Sequence, residues 1–266
     1  MTQPRHIAVI DIGKTNAKLP LVDLTTLTEI AVVTRPNTVR LGPPWPHFDV
    51  EGHWNFLRDA LGQFHRTHGV DAISVTTHGA CVALLAADGS LAAPILDYEH
   101  RFPAEIVAAY DAMRPPFSQT GSPRLAGGLN IGAQFHWQFL TDPTLRERTA
   151  RIVTYPQYWG HRLRGNTASD VASIGCHTDL WPPADLCFKA NRRPAPALVP
   201  HFFLDPARRS TRDFARYCGD WPRVARLCIA VASACGRNLK ITAVEGSCGH
   251  ICAPTWSWPG LRSVVC

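Results

Sequence analysis

The residues best suited to chemistry lie near the start of the chain, in Asp11-Ile12-Gly13-Lys14-Thr15-Asn16-Ala17-Lys18. Gly13 has no side chain, so a phosphate can approach its backbone closely. Backbone amides, the Thr15 hydroxyl and a lysine ammonium can donate to phosphate oxygens. Asp11 could hold a hydrated magnesium ion, which keeps several waters and takes few carboxylates. The motif is not a P-loop: the G-x-x-x-x-G-K-[ST] spacing is absent, and a strand rather than a helix is expected to follow. Taken alone, the octapeptide also reads as an ordinary hairpin turn with exposed lysines.

The elements around it must place it. His6–Ile10 is a β-rich apolar run ending in the motif, and Ala17–Val22 resumes as a second strand. Pro20 restricts that strand to an edge or an irregular pairing. Leu27–Thr34 reads as a third strand, and 35–47 as proline-rich loop. Trp54, Leu57, Leu61 and Phe64 recur at spacings of three and four, predicting a helix over 50–68 with Gly69 as its stop. Strands follow at Ala72–Thr76, Cys81–Ala86 and Leu91–Ile95. Helices are expected at Pro103–Met113, Ile131–Leu140 and Thr154–Leu163, and a further strand at Val171–Gly175. Early strands mixing with later helices define an α/β class with a partly antiparallel sheet.

The pattern Asp-x-Gly-x-Thr-x-x-Lys on a first hairpin resembles the phosphate-binding motif of the FGGY carbohydrate kinases, members of the actin-like ATPase superfamily. Further segments agree in order and spacing. Phe48-Asp49-Val50-Glu51 with Trp54 resembles the family's first helix. The run 73–79, ending His78-Gly79, resembles the strand carrying a sugar contact. Ile95-Leu96-Asp97-Tyr98-Glu99-His100-Arg101 resembles the Trp-x-Asp-x-Arg segment, and Thr120-Gly121-Ser122-Pro123 and Trp137 also find counterparts. Tyr158–Leu163, then Ala168-Ser169-Asp170-Val171-Ala172-Ser173, resembles the catalytic-aspartate segment. The likeness runs from about residue 5 to 181 and implies an actin-like (ribonuclease H-like) domain, a mixed sheet flanked by helices.

The resemblance implies roles. Asp170, in isolation an exposed turn carboxylate, would be the general base that takes a proton from a sugar hydroxyl. Asp11, Gly13, Thr15, Asn16 and Lys18 would handle the phosphates of ATP, with Mg2+ held by Asp11 through water. Lys14 would add a phosphate contact or remain a solvated lysine. His78, beside Gly79, would hydrogen-bond a sugar hydroxyl; its alternative is a capped strand-end histidine. Asp97 and Glu99 stand at the family's Trp and Asp positions, trading an apolar platform for carboxylates that favour hydroxyl recognition. Arg101 would pair with one of them. The implied reaction is ATP-dependent phosphorylation of a ketose, deoxyketose or polyol.

The chain has 266 residues and a net charge of +6, with 45% hydrophobic and 18% charged residues. That composition excludes wholesale disorder, collagen and coiled coil. The longest apolar runs, Cys81–Ala87 and Leu227–Cys235, fall far short of the roughly 20 residues a membrane helix needs. Asp11 interrupts the N-terminal apolar stretch, so no signal peptide is expected and the protein reads as cytoplasmic. The charge is uneven: residues 1–181 carry 15 Lys/Arg against 16 Asp/Glu, and residues 182–266 carry 12 against 5.

Seven of the nine cysteines also lie beyond position 181. Prolines there break long elements. Cys248, His250 and Cys252 invite a zinc reading, but the spacing misses paired C-x-x-C, so free or buried thiols are expected. The arginines at 192, 193, 208, 209, 212 and 216 come without a nucleic-acid module and read as solvated surface. Family members are nearly twice this length and carry a second domain with the adenosine pocket. Residues 182–266 contain no Gly-Gly adenosine motif. The division is therefore a sugar-binding domain over 1–181 and an irregular tail of unrecognised type over 182–266, as a truncated or frameshifted gene would produce. A homo-oligomer or a partner chain would have to supply the missing half; without it, little activity is expected. The alternative is a non-catalytic remnant that binds sugar or protein.

Overall fold

The structure, a computed structural model, describes residues 4–165, 167, 174 and 178–180. The chain enters as β1 (His6–Ile12), turns into β2 (Asn16–Asp23) and continues as β3 (Thr28–Pro36). Two short strands, β4 (Val39–Arg40) and β5 (His47–Phe48), pair with each other before the long helix α1 (Val50–His68). Then come β6 (Ala72–Thr77), β7 (Val82–Leu85), α2 (Ala104–Met113) and α3 (Phe117–Thr120). A 3-10 turn at Gly127–Leu129 leads into α4 (Ile131–Thr141), α5 (Leu145–Arg148), β8 (Arg151–Thr154) and α6 (Tyr155–Arg164).

The main sheet has the order β3-β2-β1-β6. β1 and β2 pair antiparallel, as do β2 and β3, whereas β6 returns through α1 to pair parallel with β1. This is the mixed sheet expected from the sequence. Ala8, Ile10, Ile12, Leu19 and Leu21 join Leu57 and Phe64 of α1, and Tyr155 and Trp159 of α6, in one buried core. A second core joins β7 to Ile131 and Phe135 of α4, Tyr110 of α2 and Ile152 of β8. Each fully buried aliphatic side chain contributes about 1.5–3 kcal/mol.

The helix over 50–68 forms as predicted, with its stripe turned slightly: the buried positions are Val50, His53, Leu57, Ala60 and Phe64. Trp54 and Leu61 are half-buried, and Arg162 of α6 lies 4.7 Å over the Trp54 ring. Asp49 caps the start by accepting from the Gly52 amide, and Gly69 ends the helix at φ 75°.

Some expectations change. β2 lies inside the sheet, not at an edge. Pro20 is accommodated by a gap in the β1–β2 pairing, which omits Val9 and Ile10 but continues on both sides. A proline cannot donate to the ladder, so the irregular pairing stands and the edge position does not. The expected strand over 91–95 shrinks to one bridge, Leu85 to Leu91, on the edge of β7 away from its ladder with β8. The stretch 35–47, read as loop, includes β4. Of 171–175 only Ile174 is described, and it is helical and buried. Residues 181–266, with their metal, nucleic-acid and domain readings, lie outside the described residues. No helix among the described residues is long and apolar enough to cross a membrane.

Candidate functional site

The octapeptide forms the tight connection between β1 and β2. The Gly13 amide donates to the Asn16 carbonyl at 2.8 Å, closing the turn. That amide is therefore spent on the fold. Among the described residues no acceptor engages the amides of Lys14 and Thr15, and Thr15 is exposed. Asp11 pairs across the ladder with Lys18, so both side chains stand on one face. Thr76 of β6 and Thr34 of β3 extend this polar row on either side. Ile7, Val9 and Val22 lie on the same face, opposite the one that packs on α1.

The turn rests on a buried polar chain that the sequence reading missed. Asn37 donates from its amide nitrogen to the Gly13 carbonyl (2.8 Å) and from its backbone to the Thr15 carbonyl (2.9 Å). The Asn37 side-chain oxygen accepts from His53 Nε2 at 2.8 Å, and His53 Nδ1 accepts from Arg35 at 2.9 Å. Arg35 in turn pairs with Asp49 at 2.6 Å, as does Arg40 at 2.8 Å. An arginine can only donate, so Nδ1 must be bare and the proton sits on Nε2. Burial, helped by the Arg35 charge, pushes the His53 pKa down to about 4, so the ring is neutral. Burial opposes ionisation of Asp49, but Arg35, the Gly52 amide and Arg40 outweigh it and hold the carboxyl below its usual range. Gly52 is needed here, because a Cβ would lie 2.1 Å from Asp49 and 2.4 Å from Arg35. Only the cap at Asp49 carried a local signal; Asn37 and His53 carried none.

Lys14 reaches towards the 97–101 segment. Its ammonium contacts Asp97 and lies 3.2 Å from Glu99. It also sits 5.2 Å from the centre of the Phe48 ring and 5.0 Å from that of Tyr98. The lysine thus bridges the turn to the 97–101 segment and is not the solvated side chain of the alternative reading. It also displaces Arg101 from its expected role: Arg101 is exposed and makes no ion pair among the described residues.

The 97–101 segment is built firmly. The Asp97 amide donates to the Pro46 carbonyl, and Asp97 Oδ1 accepts from the Glu99 amide at 3.1 Å. Beneath it, Gly128 approaches Tyr98 so closely that a Cβ would lie 2.9 Å from the Tyr98 carbonyl oxygen. Trp137 packs on His100 and Phe102 at 4.6 and 5.2 Å between ring centres.

His78 follows β6, and its amide donates to the Ile12 carbonyl at 2.8 Å, beside the turn. Its ring is buried among Phe48, Tyr98 and Tyr155, with centres 4.9–5.1 Å away, and Nδ1 lies 3.2 Å from the Gly79 carbonyl. The fold therefore gathers Asp11, Gly13, Lys14, Thr15, Asn16, Lys18, His78, Gly79, Asp97 and Glu99 at one end of the sheet. Asp170 lies outside the described residues. No group of three or more His, Cys, Asp or Glu among the described residues is placed to hold a metal ion.

Solved structures share this architecture. A carbohydrate kinase from Novosphingobium aromaticivorans is 36% identical with a TM-score of 0.65, over 71% of this chain and 40% of its own. A xylulose kinase from Rhodospirillum rubrum is 23% identical (TM-score 0.58), over 70% of this chain and 40% of its own. A gluconate kinase from Lactobacillus acidophilus is 14% identical (TM-score 0.58), over 70% and 38%. No family model and no curated protein matches the chain. The fold is the actin-like ATPase fold of the carbohydrate kinases. The chain spans about 40% of the length of the solved structures it matches.

Proposed function

We propose that residues 1–181 are the sugar-binding domain of an FGGY-type kinase, and that the chain derives from an enzyme that phosphorylates a ketose, deoxyketose or polyol with ATP. The observation that carries this reading is the junction of the Asp-x-Gly-x-Thr-x-x-Lys turn with the Asp97–Glu99 segment through Lys14, within a fold 36% identical to a carbohydrate kinase. Residues 182–266 form a separate tail in this reading, and a second domain or partner chain completes the nucleotide cleft.

The donor set suits magnesium triphosphate. Lys14 and Thr15 offer amides, Thr15 a hydroxyl, Lys18 an ammonium and Asp11 a carboxylate. A single carboxylate matches a magnesium ion that brings its own waters and phosphate oxygens. When bound, ATP supplies the phosphoryl group. Asp11, Asn16 and Lys18 orient it, the 97–99 carboxylates orient the acceptor hydroxyl, and Asp170 removes that hydroxyl's proton. His78 and Gly79 form the floor of the acceptor site. Transfer of this kind depends mainly on alignment and charge stabilisation.

The test is calorimetric titration of the full chain with MgATP and with a panel of ketoses and polyols, alongside coupled ADP release. Binding of both ligand classes is expected; their joint absence rejects the reading. A Gly13 Cβ would meet only the Asn16 carbonyl at 3.4 Å, an ordinary contact. Gly13→Ala should therefore change stability by less than about 0.5 kcal/mol while weakening MgATP binding at least about tenfold. Where turnover is measurable, Asp170→Asn should reduce it about 10²–10⁴-fold. Unchanged turnover would remove Asp170 from the chemistry.

A further inference from the structure

We propose that Lys14, Asp97 and Glu99 form a specificity-determining cluster that selects an uncharged polyhydroxy substrate and rejects sugar acids. The inference rests on the kinase reading above and assigns Lys14 a task on the acceptor side of the site.

The charge balance carries the argument. One ammonium faces two carboxylates, in contact with Asp97 and 3.2 Å from Glu99, so the cluster retains one negative charge. Lys14 cannot easily leave: its side chain is 12% exposed and lies over two aromatic faces. Among neighbouring groups, burial lowers the pKa of His100, so that ring is neutral at pH 7. Arg101 is exposed and forms no ion pair among the described residues. Glu99 is 55% exposed and presents the residual charge to an incoming molecule.

Hydrogen-bond capacity points the same way. Asp97 Oδ1 is committed to Lys14 and to the Glu99 amide. Among the described residues no donor engages Asp97 Oδ2 or Glu99 Oε1. Ionised carboxylates only accept, so their partner must donate. A pair of hydroxyls does so. A sugar-acid carboxylate offers no proton at neutral pH and meets like charge. Lys14 holds the two carboxylates side by side, which two unshielded negative charges would not tolerate.

The experiment compares affinities of the full chain for pentuloses, hexuloses and alditols with those for the corresponding aldonates. The wild type should favour at least one neutral ligand by tenfold or more. The double variant Asp97→Asn with Glu99→Gln keeps Lys14 but changes the cluster from net negative to net positive. It should reverse the preference towards the aldonate, a change that lost packing alone does not produce. Lys14→Met should weaken the neutral ligand about tenfold. Equal affinities in the wild type, or an unchanged neutral-over-acid ratio in the double variant, overturn the proposal. Bound MgATP without either sugar class overturns it too, while sparing the nucleotide half of the kinase reading. Loss of all binding to the wild type defeats both.

Discussion

Replacing Asp179 with alanine is expected to destabilise the protein by about 3–5 kcal/mol, the usual cost of stripping one partner from a buried ion pair. The Asp179 side chain has no exposed surface. Arg114, which caps the end of α2, grips it from two nitrogens at 2.7 and 3.0 Å. The Tyr110 hydroxyl and the Asn130 amide nitrogen each donate to Oδ2 at 2.8 Å. Asn130 also caps α4 by accepting from the Ala133 amide. One carboxylate therefore ties α2, the start of α4 and the 178–180 segment together. Alanine would strand the Asn130 amide nitrogen and leave a buried guanidinium without its counter-charge, holding only the Ser122 carbonyl at 3.0 Å, while the Tyr110 hydroxyl would keep only Asn130 Oδ1 at 3.1 Å.

Urea unfolding followed by tryptophan fluorescence reads the loss as a lower midpoint at similar slope. The pair Arg114→Met with Asp179→Leu removes both charges and should recover part of the loss, since no ion is stranded. A single Asp179→Ala variant within about 0.5 kcal/mol of wild type would show that the cluster contributes little.

Acid should weaken the fold through His53. Its folded pKa of about 4 lies below the ordinary 6.5. Between these values the unfolded chain binds a proton that the folded chain refuses. Stability contributed by neutral His53 is therefore complete above pH 6.5 and declines as the pH falls towards 4. The expected loss is about 2–3 kcal/mol from this ring. The groups facing it are Arg35, Asp49 and His78, and only the Asp49 carboxylate favours its protonation.

His53→Gln keeps a donor for Asn37 and does not titrate, so its stability should fall less steeply over the same window. Burial also lowers the pKa of His100 and His136, so some slope will remain in the variant. Identical slopes in the two proteins would exclude His53 as the source. Because His53 supports Asn37, and Asn37 the Gly13–Thr15 turn, the same window should loosen the turn.

Much of this architecture could be read without coordinates. Trp54, Leu57, Leu61 and Phe64 repeat at helical spacing, Gly69 stops the pattern, and α1 formed over Val50–His68. The first hairpin was equally plain, since an apolar run stops at a glycine-containing turn and resumes. These are local signals, set by side-chain periodicity and by the conformations glycine allows.

By itself the sequence determined the hairpin, the long helix and the mixed sheet they build, together with the residue types available for phosphate and hydroxyl recognition. Tertiary structure decided where those groups point. Lys14 and Asp97 are 83 positions apart, and no spacing rule announces their contact. Asn37 and His53 looked like a loop residue and a helix residue until the β1–β2 turn brought their hydrogen bonds together. β7 took the distant β8 as its ladder partner and kept a single bridge to its near neighbour, and Pro20 entered the sheet interior where the β1–β2 ladder opens. The physical reason is common to all of them. A buried polar group must find a partner wherever the packed chain offers one, and packing brings together residues that are distant in sequence.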